Sequence, residues 1–123
     1  MTTTALAITA LPAGTVVNDV AGTAIDATKT MVLTPTDRFD KLTLRFAHTT
    51  TAAKSAAIKA GTAVAATASG QGDLTVTLAD ATAATIVTFL TGLESARFLQ
   101  SDGTIHITFA AGTTGFVTAF QHA

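Results

Sequence analysis

Ser101, Asp102 and His106 lie close together in the sequence and carry the side-chain types of a hydrolytic triad: a hydroxyl, a carboxylate and an imidazole. Their setting argues against that chemistry. Ser101 is not in a G-x-S-x-G elbow, the turn that holds a nucleophile clear of its sheet. Ser101-Asp102-Gly103 is already accounted for as a tight turn, with Gly supplying the left-handed backbone. His48, His106 and His122 offer three imidazoles, but none is two or four positions from another, so no ligand pair shares a strand or helix face. Asp37, Asp40, Asp73 and Asp80 are too dispersed for a carboxylate pair or a calcium loop. The glycines match neither phosphate-binding fingerprint. The chain has no Cys, which removes disulfides, thiolate metal sites and Cys nucleophiles. Glu94 and Arg97 are placed for a local ion pair, worth ~0–1 kcal/mol at a surface. The expectation is a protein that is not an enzyme, with no catalytic residue, metal or cofactor.

The elements that would position any site are set by an unusual composition. Of 123 residues only 12% are charged, and the formal net charge is −1. Nucleic-acid binders normally carry a basic patch, so this class is not expected. No apolar run reaches the ~18–20 residues of a spanning helix, so no membrane partner is expected either. No Lys or Arg precedes the short apolar run near the N-terminus, so we expect no signal peptide and synthesis in a host cytoplasm. Trp and Tyr are absent, leaving Phe as the only ring for stacking. A surface rich in Thr, Ala and Gly costs little to desolvate and suits burial against other protein chains.

The clearest pattern is a β-hairpin over residues 92–109, with strands 93–100 and 104–109 about the Ser101-Asp102-Gly103 turn. Pairing Gln100 with Thr104 sets Leu99 opposite Ile105 and Phe98 opposite His106. Leu99, Ile105, Ile107 and Phe109 then form a core face, and Phe98 and His106 point outward. Phe116 and Phe120 share a face of a closing strand over 116–121. Phe98, His106, Phe116 and Phe120 are therefore the candidate subunit interface.

Elsewhere, 39–48 alternates with Leu42, Leu44 and Phe46 on one face, and 73–78 with Leu74, Val76 and Leu78. Residues 28–34 read as a strand ended by Pro35, with a polar turn at 36–38. The apolar run 85–91 reads as a central strand buried on both faces. Weaker strands are expected at 15–20 and 61–69, and 49–60 is open between a short helix and a loop with a strand. The fold class expected is all-β: a single-domain β-sandwich or jelly-roll-like small barrel with at most one short helix. Residues 1–14 are set apart as an N-terminal arm or edge strand, and 15–123 as the sandwich. Leu6, Ile8 and Leu11 are the arm's apolar anchors.

The tract GLESARFLQSDGTIHITF resembles a segment of small structural proteins of tailed bacteriophages, in which a strand ending in ARF and Q is followed by a DG turn and an alternating strand. Size and charge poverty are similar to those of capsid decoration, or cement, proteins. That resemblance covers about the last third of the chain. It implies a homotrimer on the capsid exterior that clamps major capsid protein subunits, with Leu6, Ile8 and Leu11 as the capsid-contacting arm, and it implies no catalytic residues. A head–tail connector or tail protein, and a carbohydrate-binding β-sandwich, are the alternative expectations.

Overall fold

Alternation of Thr with Leu, Ile, Val or Phe favours strands, because an extended chain then presents one apolar and one polar face. The computed structural model describes residues 2–35, 39–64 and 66–122, and ten strands run through them. They are β1 Thr3–Leu6, β2 Ile8–Leu11, β3 Thr23–Ala24, β4 Thr30–Leu33, β5 Leu42–His48, β6 Lys54–Ile58, β7 Leu74–Leu78, β8 Ile86–Leu90, β9 Ile105–Phe109 and β10 Gly115–His122. One four-residue helix, α1 Ser95–Phe98, and two 3-10 turns, Phe39–Lys41 and Ser69–Gln71, complete the regular structure.

The strands form two sheets. Sheet A has the order β1-β4-β9-β6-β7, and sheet B the order β2-β10-β5-β8, with β3 on the remaining length of β10. The sheets share one core, where Phe46 of β5 meets Phe109 of β9 edge to face, ring centroids 6.2 Å apart. Leu42, Leu44 and Phe46 from one sheet and Ile105, Ile107 and Phe109 from the other are all buried, as their alternation requires. Each such side chain contributes ~1.5–3 kcal/mol by leaving water. The architecture is all-β and sandwich-like.

The hairpin over 92–109 does not form. Its turn does: Gly103, at φ +83°, donates its N–H to Gln100 O, and Gln100 N donates to Thr104 O, both at 2.9 Å. Beyond that pair the ladder stops, because both edges of β9 are occupied, by β4 and by β6. Residues 93–99 have no free strand to join. Glu, Ala and Arg favour helix, and the segment coils into α1. Leu93 and Phe98 enter the core, so Phe98 does not face outward beside His106. Among its described residues, the 61–69 stretch forms no strand. It receives the displaced segment instead, with Gly61 N donating to Arg97 O at 2.7 Å and Ala63 N to Leu99 O at 3.1 Å.

The N-terminal residues are not a free arm. β1 lies parallel to β4 in sheet A, β2 lies parallel to β10 in sheet B, and the chain changes sheets at Ala7. Leu6 is 4% exposed in the core, Ile8 packs against it, and Leu11 is half-buried opposite His122. Residues 15–20 belong to an exposed loop over 12–22, not to a strand. The turn expected at 36–38 lies outside the described residues.

Candidate functional site

The outer face of sheet B is built from three neighbouring strands. On β5, Leu44, Phe46 and His48 point inward, so Thr43, Arg45 and Ala47 point outward. The register then sets Phe116, Ala47 and Val87 side by side across β10, β5 and β8, and Thr118, Arg45 and Phe89 in the next row. Val87 is 42% exposed, Phe89 62% and Phe116 41%. Side chains of this size normally cover a core, and here three of them face water around the buried Ala47.

The strand responsible, β8, is the one expected to be central. It is an edge strand of sheet B, so the apolar residues intended for a second covering layer stand in solvent. One side of the row is bounded by the 12–22 loop. Asp19 reaches from that loop to Arg45, carboxylate to guanidinium 3.3 Å, and Arg45 is held down at 19% side-chain exposure. The loop crosses β10 at Gly22, where a Cβ would stand 2.2 Å from Thr118 Oγ1 and 2.5 Å from Val117 O, and φ is +84°. Only Gly allows the chain to pass so close in that conformation. The loop adds Val16, Val17 and Val20 to the exposed apolar residues.

The four interface candidates do not share a surface. Phe116 lies in the exposed row. Phe120 is on the same side of β10 but is 9% exposed. Phe98 is in the core, and His106 lies half-buried on the outer face of sheet A, opposite Val32. Leu6, Ile8 and Leu11 are engaged within the fold, as described above. Val87 and Phe89 were missed. The signal available was the uncharged run over 81–93, which fixes apolarity but not position in the sheet.

Among the described residues the candidate reactive groups stand apart from one another. Asp102 is turned back into its own loop, accepting from Thr104 N at 3.3 Å and from the Thr104 hydroxyl. That hydroxyl holds the Asp102 carboxyl below its ordinary value. The same D-x-T device recurs at Asp26 with Thr28 and at Asp80 with Thr82, each carboxylate accepting from the Thr N–H and hydroxyl and each lowered chiefly by the hydroxyl bond. Asp73 accepts from Lys59 Nζ at 2.7 Å and Ala60 N at 2.6 Å, and the Lys59 bond is the main cause of its lowered value. Asp37 lies outside the described residues.

The imidazoles are equally scattered. His48 is buried, 2.7 Å from Ala79 O through Nδ1, while its Nε2 has no hydrogen-bond partner among the described residues. His106 is in the other sheet, and His122 closes the far end of β10. Among the described residues no group of three His, Asp or Glu side chains is placed to hold a metal ion. What the exposed apolar side chains of this surface offer is area that is cheap to desolvate.

Comparison with protein-family models, with curated proteins and with solved structures finds no match to the chain.

Proposed function

We propose that the protein is a structural, non-catalytic assembly component, and that it acts as a decoration protein on the exterior of an assembled phage head, bound to major capsid protein. The observation that carries this reading is the exposure of Val87, Phe89 and Phe116 on one face of sheet B, where Arg45 is already paired to Asp19. A surface of that kind gains most by covering apolar area with protein, and it has no charge to strip. Binding that needs several shell subunits at once stabilises the assembled shell over its free parts by mass action. A homotrimer is the arrangement the resemblance implies. The contact surface proposed is the sheet B face in place of the N-terminal arm.

Co-sedimentation with expanded heads, unexpanded heads and free capsid subunits tests the reading. Retention on heads that is lost in Phe89→Ser supports it, and no retention on any head preparation sinks it. A gene for a major capsid protein beside this one is the first thing to look for.

A second reading has a specific observation in its favour. Phe89 and Phe116 are two exposed rings on one flat sheet face, the geometry of a carbohydrate-binding sandwich. Glycan-array binding lost in Phe89→Ser separates it from the first.

A further inference from the structure

The free edge of β8 has a hydrogen-bond pattern of its own, and it can be read from the ladders behind it. Thr49 N donates to Thr114 O at 3.1 Å, directly opposite it in the β10–β5 ladder. Hydrogen-bonded and non-hydrogen-bonded pairs alternate along antiparallel strands. Thr43, Arg45 and Ala47 therefore turn their N–H and C=O groups toward β10, and Leu44, Phe46 and His48 turn theirs toward β8. Their partners Leu90, Thr88 and Ile86 are engaged with β5. The N–H and C=O groups of Val87 and Phe89 are left pointing out of the sheet. These are also the residues whose side chains are most exposed on the strand.

Natural sheets block such an edge with Lys, Pro, a bulge or an inward charge. β8 has none of these, and no charged residue or Pro lies anywhere between Asp80 and Glu94. Other edges differ. The exposed residues of β7 are Thr75 and Thr77, and those of β1 and β2 are Thr3, Ala5 and Ala10. Ile86, Thr88 and Leu90, on the inner face, are only half-buried, so the sandwich is open along this side.

We propose that β8 pairs antiparallel with β8 of a second copy of this chain, about a two-fold axis at Thr88. The register follows from the outward groups. Val87 forms a hydrogen-bonded pair with Phe89 of the second copy, and the reciprocal pair repeats it. Thr88 meets Thr88 of the second copy in a non-hydrogen-bonded pair, and Ile86 faces Leu90. An antiparallel strand paired with itself needs no charge complementarity, and here no like charges are opposed. The two B sheets become one continuous sheet, with the two exposed rows side by side on one face. The pairing does not depend on the decoration reading, and a two-copy state in solution would take the place of the homotrimer that the resemblance implies.

A five-residue strand pair by itself falls short of the ~1,200 Å² that a stable interface buries, so the dimer exchanges with monomer on dilution. Light scattering on the full chain across a dilution series reads this directly. The expected result is a mass moving from two copies to one. Val87→Pro and Val87→Lys are expected to stay monomeric throughout with the wild-type circular dichroism spectrum, because the Val87 N–H faces away from β5 and an edge tolerates Pro there. Thr77→Lys, on the β7 edge, should dimerise as wild type does.

Cross-linking tests the register. Non-hydrogen-bonded partners have Cα atoms ~4.5 Å apart, within disulfide range. Thr88→Cys, the only thiol in its chain, should give a covalent dimer on mild oxidation, and Val87→Cys should not. A wild type that is monomeric or trimeric at every concentration overturns the proposal. So does dimerisation that survives both Val87 variants, or cross-linking no greater at Thr88 than at Val87.

Discussion

The Gln100 side-chain amide spans two strands' worth of missing ladder: its Nε2 donates to Ala60 O at 3.0 Å, and its Oε1 accepts from Thr62 Oγ1 at 3.0 Å. Thr62 Oγ1 in turn accepts from Ser101 N at 2.9 Å. Gln100 is buried, and its amide ties the turn to residues 60–62 alongside the backbone bonds from Gly61 N to Arg97 O and from Ala63 N to Leu99 O. Replacing it with Leu removes the partner of the half-buried Ala60 carbonyl and leaves the Thr62 hydroxyl, on an exposed residue, to water. Urea denaturation of Gln100→Leu should show a loss of about 0.5–1.5 kcal/mol, the net worth of a typical hydrogen bond.

Phe98 and Phe89 are expected to respond in opposite ways. Phe98→Ser opens a cavity in the core and should cost at least the ~3–5 kcal/mol of a Phe→Ala truncation. Phe89→Ser removes an exposed ring and should change stability by no more than ~0.5 kcal/mol. Paired thermal melts decide it, and equal losses in both variants would contradict the assignment of Phe98 to the core.

Leu6→Ala tests whether the N-terminal residues belong to the fold. Leu6 is buried against sheet A's partner layer, so truncation should cost ~2–5 kcal/mol. Removal of residues 2–11 takes an edge strand from each sheet and should abolish cooperative unfolding. A truncated chain that still melts cooperatively near the wild-type temperature would show that the segment is dispensable.

Acid stability should depend on the three D-x-T turns. The Asp26, Asp80 and Asp102 carboxyls are all held below their ordinary value of 3.8 in the fold, chiefly by the Thr hydroxyls. A lowered folded value means that the unfolded chain binds protons more readily. The stabilisation is therefore present above 3.8 and is lost as pH falls through the folded values. Melting temperature measured from neutral pH downward should stay level and then fall below pH ~4. Replacing Thr28, Thr82 and Thr104 together by Val should flatten that fall.

Period-two patterns located β5, β7 and β9, because a strand with one buried face writes that face into every second residue. Leu42, Leu44 and Phe46 show it, as do Ile105, Ile107 and Phe109. The same rule misread residues 93–100, where Leu93 and Phe98 reach one core from a helical turn. The deciding fact, that β9 has no free edge, lies in β4 and β6. The 85–91 run misled for a related reason. Apolar residues on both faces indicate two covered faces, but one cover can belong to another molecule. The Asp-x-Thr spacing does not by itself decide the turns at Asp26, Asp80 and Asp102, since Asp73-Leu74-Thr75 has the same spacing and its carboxylate bonds Lys59 and Ala60 instead.

The crossing at Ala7 ties opposite ends of the chain together, since Ile8 pairs with Ala119 and Leu6 with Leu33. Among the described strands, β10 lies between β2 and β5 and joins them. Sheet B therefore cannot close during synthesis until β10 has left the ribosome. Until then β5 and β8 wait with their apolar faces uncovered. Such non-local pairing slows folding, and β5 and β8 are prone to aggregate until β10 has joined them.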